Sequence, residues 1–489
     1  MSAVAVALGV KPALLPLDAG EQYRFAFDMG ACVGCHSCEV ACAEQNGNPV
    51  DVNWRKVGEV EAGAFPAVAR FSMSMSCNQC LEPTCLSGCP TNAYVKLDNG
   101  VVSHLADSCI GCQYCIWNCP YEAPVFNPER RIVTKCDMCL PRLEAGQLPA
   151  CVGACPTQAL TVEKVDIAAW RADHSAADAP GLPPASITMP TTRIILPEGL
   201  PPDAMPARVW AIEPEHPHWP LIALTLLTQL AVGTVTATVA SRTGRGAPIA
   251  AVAGAIALLA SIGHLGRPAH AWKALRNLRR SWLSREVALF GAFAGAAVVF
   301  ATPLWSPHLR SSLGMASVVL GVAGVYASAR LYLVPARPAW NTPRTVVAFF
   351  ATGLTSGPLV VVLAGNRPSP GGSTVRVELA LAALGTVLQL VIYQSIAASV
   401  AVRRGHEWVA FGRLLFRRFR GLLFLRIGLG ITAVALCVAA GASAGGRALP
   451  ILAAIALGCV AVGELIGRYL FYVTVVPMTA DGSFFRGLR

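Results

Sequence analysis

The chain is poor in charged residues, which occupy 14% of its 489 positions against about a quarter in an average soluble domain. Acidic residues are scarcest after His218, where 5 of them accompany 25 lysines and arginines; up to His218 the counts are 23 and 14. The net charge of +11 therefore arises in one half of the chain, among long apolar runs. A nucleic-acid-binding protein would carry its basic residues as a stripe on a polar surface, so we expect no nucleic acid as a partner.

Histidine is also scarce where a haem would need it. The second half contains His264, His270, His308 and His406, all in loops or at the ends of apolar runs. A haem held between two helices needs a histidine deep within each of them. We therefore expect no haem.

An export signal is missing as well. No basic segment and no pair of arginines precedes the apolar stretch at residues 3–10. Secretory and twin-arginine signals both begin with such basic residues. We therefore expect the first half of the protein to stay in the cytoplasm.

Cysteine is abundant in the first half, where 16 of the 18 cysteines form four groups of four. The groups are Cys32, Cys35, Cys38 and Cys42; Cys77, Cys80, Cys85 and Cys89; Cys109, Cys112, Cys115 and Cys119; and Cys136, Cys139, Cys151 and Cys155. A compact triplet with a distal cysteine, often followed by proline, is typical of paired iron–sulfur cubes in which the fourth cysteine ligates the other cluster. Sixteen ligands predict four [4Fe–4S] clusters, which together conduct single electrons.

Two other uses of cysteine are weaker interpretations. Zinc also binds four thiolates, but its sites are normally built from two separated pairs. Disulfide scaffolds belong to secreted proteins, and no signal peptide precedes these groups.

The pattern predicts an α+β double ferredoxin-like domain at 23–171, after an extension at 1–22. Alternating residues favour strands at 23–27 and 93–97, and Asn99-Gly100 favours a hairpin turn after the second strand. Prolines crowd residues 172–219 and predict an extended linker, either a free spacer or a strap lying over a surface.

An all-α bundle of eight membrane-spanning helices is predicted for 220–476, followed by a tail at 477–489. The predicted spans are 220–240, 247–263, 287–305, 313–334, 345–365, 377–402, 422–440 and 448–476, of which the second is short. Loops and span ends on the side of the N-terminus carry 19 basic residues, and the opposite loops carry 6. The positive-inside rule therefore predicts a multi-pass protein of the inner membrane whose cluster domain faces the cytoplasm.

A cluster path that ends at a membrane predicts a quinone as the lipid-soluble partner. A quinone site needs hydrogen-bond donors, a proton source and aromatic walls, which His264, Arg267, Trp272 and Trp282 could supply. The alternative for the arginine and tryptophans is interfacial anchoring.

The arginine-rich loop at 403–426 favours a surface that contacts lipid and the cluster domain. Glu464 and Arg468, four residues apart, predict an ion pair at a helix end.

Residues 23–165 resemble the four-cluster ferredoxin subunits of the dimethyl sulfoxide reductase family of molybdoenzymes, and residues 220–476 resemble that family's eight-span anchor subunit. The anchor resemblance is carried by His264-Leu-Gly-Arg267-Pro, Ser281-Trp-Leu-Ser-Arg-Glu286, Tyr326 through Ala339-Trp-Asn-Thr342, and Gly467-Arg-Tyr-Leu-Phe-Tyr472.

The resemblance implies four ligand sets and a partner. The sets are Cys32, Cys35, Cys38 and Cys155; Cys42, Cys136, Cys139 and Cys151; Cys77, Cys80, Cys85 and Cys119; and Cys89, Cys109, Cys112 and Cys115. The last two sets would lie nearer the membrane. A separate large subunit would hold the molybdopterin and perform the substrate chemistry, and His264 would mark the site of ubiquinone or menaquinone.

The sequence departs from the family because two subunits that are usually separate are fused. Reductases of the family often export their cluster subunit, which a fusion to cytoplasm-oriented spans would hinder. We therefore expect a non-catalytic electron-transfer and anchor subunit of a cytoplasm-facing sulfite:quinone oxidoreductase. The alternatives are a dimethyl sulfoxide reductase that takes electrons from menaquinol, and a hydrogenase or formate dehydrogenase subunit.

Overall fold

The computed structural model describes residues 14, 16–201, 204–206, 213–243, 245–365, 373–403, 405–443 and 446–479. The chain forms two compact units, one of residues Met1–Glu213 with Pro477–Arg489 and one of residues Pro214–Val476. The boundary lies a few residues before the position that the sequence suggested.

The first unit is built on small sheets. Strand β1 (Glu21–Asp28) confirms the strand predicted at 23–27, and its Phe25 and Phe27 point into the core. β1 pairs antiparallel with β8 (Leu160–Asp166) and parallel with β9 (Arg193–Ile195). Residues far apart in sequence thereby close one sheet around the cysteine groups.

Three hairpins complete the strands. They are β2 (Lys56–Ala64) with β3 (Ala67–Met75), β4 (Tyr94–Lys96) with β5 (Val102–His104), and β6 (Val125–Asn127) with β7 (Ile132–Thr134). The hairpin predicted at Asn99-Gly100 is confirmed by β4 and β5, and Gly100 has the positive φ of 86° that favours glycine there.

Short helices accompany the cysteine groups. They are α1 (Ser37–Asn46), α2 (Thr84–Gly88), α3 (Tyr114–Asn118), α4 (Leu140–Glu144) and α5 (Ala150–Gly153). Helices of 4 to 10 residues are unstable by themselves in water, so tertiary contacts must hold them.

The proline-rich segment packs on this unit. It follows α6 (Ile167–Ala172) and supplies β9 as well as β10 (Met205–Pro206), which pairs with β2. The Thr191 backbone also donates to the Asn78 carbonyl at 3.0 Å. These contacts make residues as far as Pro206 part of the unit.

The second unit is a helical bundle. Its long helices are α7 (Trp219–Ala240), α8 (Ala247–Ile262), α9 (Trp282–Ala301), α10 (Pro307–Leu331), α11 (Pro343–Leu363), α12 (Ser373–Val402), α14 (Arg420–Ala442) and α15 (Leu449–Val473). Within the described ranges, seven of the eight are long and apolar enough to cross a bilayer. The exception is α8, whose 16 residues span about 24 Å, less than the ~30 Å of a hydrocarbon core.

Two segments between the spans are also helical, although the sequence suggested only loops. A 3₁₀ helix runs through Pro268–Leu275, and α13 (His406–Arg413) leads into a π-helical turn at Leu414–Arg418. Both lie at the ends of spans.

Glycines let two central spans approach closely. A Cβ added to Gly233 of α7 would lie 2.1 Å from the Gly353 carbonyl oxygen of α11, and one on Gly357 would lie 2.1 Å from the Gly233 carbonyl carbon. Small residues at such crossings allow backbone contact between membrane helices.

Candidate functional site

The fold gathers the cysteines across their groups. Cys32 lies close enough to Cys35 and Cys155 for their charges to interact, and Cys42 lies close to Cys139 and Cys151 in the same way. The distal cysteine of the first group thus faces the fourth group, and the distal cysteine of the fourth group faces the first.

In the same manner, the distal cysteine of the second group lies near the third group, and the distal cysteine of the third group lies near the second. Cys85 interacts with Cys77, Cys80 and Cys119, and Cys115 interacts with Cys89, Cys109 and Cys112. These contacts are those expected within the sets that the resemblance implies, and the sets themselves stay a prediction. Cys38 differs, since its charge interaction is with Cys151 of the neighbouring set.

The sets form a series. Cys38 and Cys151 connect the set of Cys32 with the set of Cys42. Cys136 of that second set interacts with Cys77 of the third. The Tyr94 hydroxyl donates to Cys115 Sγ at 3.3 Å, and its charge also interacts with Cys85, which connects the third set with the fourth.

Backbone amides point at the sulfurs. The donors are Ala93 N to Cys89 Sγ at 3.3 Å, Gly111 N to Cys109 Sγ at 3.4 Å and Met138 N to Cys136 Sγ at 3.4 Å. Such donors stabilise negative charge on a ligating sulfur and raise the reduction potential of a cluster.

The donor sets suit clusters better than single ions. Among the residues that the structure describes, no three cysteine, histidine or acidic side chains lie close enough to hold one metal ion. Zinc would require thiolates within about 4 Å of one another, because each lies ~2.3 Å from the ion. In a cubane each thiolate binds a different iron, so the four sulfurs lie farther apart.

Burial raises the pKa of Cys42 and of Cys80 to about 12. A thiol of that kind keeps its proton at neutral pH until a metal displaces it. The sets therefore fit a ligand that brings its own positive charge.

Two buried cations stand among the cysteines, and sequence reasoning missed both. Burial by itself would lower the pKa of Arg55, but Cys151, Cys136 and Cys38 raise it above the ordinary value. The Arg55 guanidinium donates to Ser76 Oγ at 2.9 Å.

Lys135 is the second cation and is 3% exposed. Burial by itself would lower its pKa, but Cys77, Cys85 and Cys136 raise it. Its Nζ donates to the Cys136 carbonyl at 3.0 Å and to the Val102 carbonyl. Lys135 therefore lies between the second and third sets. In the sequence, the position of Lys135 directly before Cys136 was the one indication that this lysine lies near a cluster.

In the membrane unit, His264 follows the end of α8. Its Nδ1 is enclosed, and the ring lies within hydrogen-bond reach of the Ser261 backbone. His218 lies close enough to His264 for their charges to interact, and the centre of the His218 ring lies 6.0 Å from that of Tyr472.

A buried polar chain continues from Tyr472. Its hydroxyl is hydrogen bonded to that of Tyr332, and both tyrosines interact with the charge of Glu286. Glu286 is 7% exposed and lies close to the Ser328 side chain. No local pattern indicated that these residues meet, because they come from different helices.

The two tryptophans predicted for the same site both contact arginines. Trp272 is 60% exposed, with the Arg276 guanidinium 4.9 Å from its ring. Trp282 is stacked by Arg285 at 4.4 Å and by Arg330 at 5.1 Å. Over the described ranges, no hydrogen bond, ion pair or ring contact joins His264 to either tryptophan. Arg267 precedes the 3₁₀ helix.

The ion pair predicted between Glu464 and Arg468 is wrong. Glu464 pairs with Arg426 of α14 at 3.1 Å, and Arg468 donates to Gln229 Oε1 of α7 at 2.7 Å. Both contacts cross between helices because the bundle interior offers partners that a single helix surface does not.

Comparisons with known proteins divide the chain in the same way. Residues 68–165 match the 4Fe-4S dicluster domain family, and residues 213–473 match the DMSO reductase anchor subunit (DmsC) family. One polypeptide of the anaerobic dimethyl sulfoxide reductase of Haemophilus influenzae is 40% identical over 179 residues, which cover 35% of this chain and 87% of the relative.

Two relatives carry other names. A polypeptide of the sulfite dehydrogenase of Allochromatium vinosum is 36% identical over 160 residues, 28% of this chain and 67% of the relative. The formate dehydrogenase iron-sulfur subunit of Haemophilus influenzae is 37% identical over 171 residues, 31% of this chain and 54% of the relative.

Proposed function

We propose that this chain, which belongs to the DMSO reductase anchor subunit family, passes electrons between a separate molybdopterin-containing subunit and a membrane quinone. The chain is a multi-pass membrane protein that joins an iron–sulfur electron-transfer subunit and an anchor subunit of this family. The proposal adds the cluster ligands, the quinone and the direction of transfer.

The observation that carries the proposal is the series of four cysteine sets. Each set would hold one [4Fe–4S] cluster, which when bound supplies a one-electron redox centre. The chain holds the sulfurs in place with short helices and amide donors. Arg55 and Lys135 offset the negative charge of the thiolates in a buried environment.

The quinone end is proposed near His264, with Arg267, Trp272 and Trp282 as further candidates. The enclosed ring of His264 supports this choice, because an imidazole in an enclosed site can donate a hydrogen bond to a quinone oxygen. The chain of His218, Tyr472 and Tyr332 would carry protons to or from that position. The ring contacts of the two tryptophans with Arg276, Arg285 and Arg330 also fit the anchoring alternative.

We further propose that the cluster unit faces the cytoplasm and that sulfite is the electron donor. The orientation is supported by the loops on the side of the N-terminus, which carry 19 basic residues against 6 in the opposite loops. The choice of sulfite is supported by the relative whose name is sulfite dehydrogenase. The relative whose name is dimethyl sulfoxide reductase favours a second candidate, in which electrons run from menaquinol to a sulfoxide.

Purification of the chain with its catalytic partner separates these candidates. We expect sulfite-dependent reduction of a soluble quinone analogue, and little reduction of dimethyl sulfoxide by a quinol. The opposite pattern would favour the reductase.

A second experiment tests the quinone site. We expect His264→Phe to slow quinone turnover by about 100-fold, since a positioned proton donor contributes that much or more. The cluster spectra should not change. His308→Phe, in the exposed first turn of α10, is the matched control. Normal quinone kinetics in the His264 variant would refute the assignment.

A further inference from the structure

The membrane unit contains a second polar region, in a cavity of about 80 Å³ at one end of the bundle. Helices α11, α12, α14 and α15 and the segment of α13 with its π turn surround it. Its polar wall consists of Arg344, Gln389, Tyr393, Arg426, Glu464 and Arg468. His264 and the three other candidate quinone residues are not among the residues that line it.

The charges in this wall are unbalanced. Three arginines face one carboxylate, and that carboxylate is fully engaged. Glu464 Oε1 accepts from Arg426 Nη2 at 3.1 Å, and Glu464 Oε2 accepts from Gln389 Nε2 at 3.2 Å. Arg468 is 5% exposed, is hydrogen bonded to neutral groups, and interacts with the charge of Glu464, which Arg426 already shares. Buried cations without a counter-charge are costly, so the cavity favours an anion.

The excess of positive charge extends to the mouth of the cavity. Arg344 donates to the Ser399 hydroxyl and lies close enough to Arg403 for their like charges to interact. Arg403 stacks on Trp408 at 4.6 Å. In the part of the chain that the structure describes, neither arginine has a carboxylate within ion-pair distance.

The segment over the mouth is amphipathic. Trp408, Phe411 and Leu415 are buried, whereas Arg413 and Arg417 are exposed. A short helix with this division lies in the headgroup region of a bilayer, where its arginines attract anionic lipids.

The remaining wall is apolar. Ile392 and Ile396 of α12 line the cavity and are half-exposed on the surface of the bundle. Phe411 of α13 and Leu415 of the π-helical turn also line the cavity. A free phosphate would gain nothing from this wall, and a neutral quinone would leave the arginines uncompensated. A lipid with an anionic headgroup matches both parts.

We propose that this cavity binds the headgroup of an anionic phospholipid, with its phosphate against Arg344 and Arg403 at the mouth and an acyl chain along Ile392 and Ile396. Basic pockets between membrane helices recognise such headgroups by charge. The bound lipid would hold α13 against α12 and α14. The site does not include His264, although Trp340 in its wall contacts Tyr332 and Tyr472 of the proposed proton chain.

The test uses the purified complex in detergent, with phosphatidylglycerol and phosphatidylcholine as probes in separate titrations. We expect phosphatidylglycerol to bind with the higher affinity and to raise the midpoint of thermal unfolding. In the Arg344→Gln/Arg403→Gln variant we expect its dissociation constant to rise about 25-fold, roughly fivefold for each arginine near the surface.

Two controls keep the result interpretable. Arg310→Gln removes an arginine that only stacks on Phe300, and its dissociation constant should stay at the wild-type value. Arg344→Lys keeps the charge and should retain most of the affinity. An unchanged midpoint of thermal unfolding in the absence of added lipid confirms that the bundle of each variant is folded.

Several outcomes would overturn the proposal. These are equal affinity for the two lipids, an unchanged dissociation constant in the double variant, equal competition by inorganic phosphate, and stoichiometric displacement of phosphatidylglycerol by a quinone analogue. Failure of the sulfite assay would not affect the proposal, since lipid binding needs no catalysis.

Discussion

Replacing Lys135 by methionine should lower the reduction potentials of two clusters and leave the other two unchanged. Lys135 is 3% exposed and interacts with Cys136 of the second set and with Cys77 and Cys85 of the third. Its positive charge stabilises the reduced form of a cluster, which carries the extra electron. Methionine has nearly the same length but no charge, so the change removes that stabilisation without leaving a large cavity.

The size of the shift follows from Coulomb's law. A charge at ~6 Å in a medium of effective dielectric constant ~20 interacts with one electron by about 3 kcal/mol. For a one-electron couple this corresponds to about 120 mV. Part of the effect is lost when neighbouring dipoles and water rearrange, so we expect a decrease of about 50–120 mV in the potentials of the second and third clusters.

The assay is a redox titration of the purified complex, followed by the paramagnetic resonance of each reduced cluster. Lys135→Arg keeps the charge and should stay near the wild-type potentials. Lys164→Met is the matched control, because Lys164 lies at the edge of the same unit and pairs with Glu21 at 2.7 Å. The reasoning fails if the four potentials of Lys135→Met equal those of the wild type, or if Lys135→Arg decreases as far.

Two further changes test the packing of each unit. A Cβ on Gly467 would lie 1.0 Å from Arg426 Nη1, whereas one on Gly463 would meet nothing nearer than Leu429 Cβ at 3.9 Å. We expect Gly467→Ala to destabilise the bundle by roughly 3 kcal/mol through the broken buried ion pair, with Gly463→Ala as the control, measured as thermal unfolding in detergent. Removal of iron by oxidation and a chelator should make residues before Glu213 sensitive to protease while the helical signal of the bundle persists, because the short helices of the first unit depend on the clusters. A first unit that stays resistant to protease after complete iron loss would contradict this.

Local patterns in the sequence predicted much of the fold. The strand at Glu21–Asp28, the hairpin after Asn99-Gly100 and the long spans all depend on residues near one another, and the structure has each of them. The α13 helix and the 3₁₀ helix after α8 were not predicted, because each is only 8 residues long and a helical period is hard to recognise over so few residues.

The pairing of charges required tertiary information. A spacing of four residues suggested Glu464 with Arg468, yet Glu464 pairs with Arg426 and Arg468 turns to Gln229. Helix spacing shows which side chains share a surface, but in a bundle the compensating partner for a buried charge comes from whichever helix lies opposite.

The sequence by itself determined that this protein has four cysteine groups and a membrane bundle, since ligand spacing and apolar length are properties of short segments. Only the tertiary structure decided the order of the sets, from Cys38 and Cys151, through Cys136 and Cys77, to Tyr94 between the last two. It alone also placed Lys135 between the second and third sets. Distances between segments depend on how the whole chain packs, and electron transfer depends on those distances.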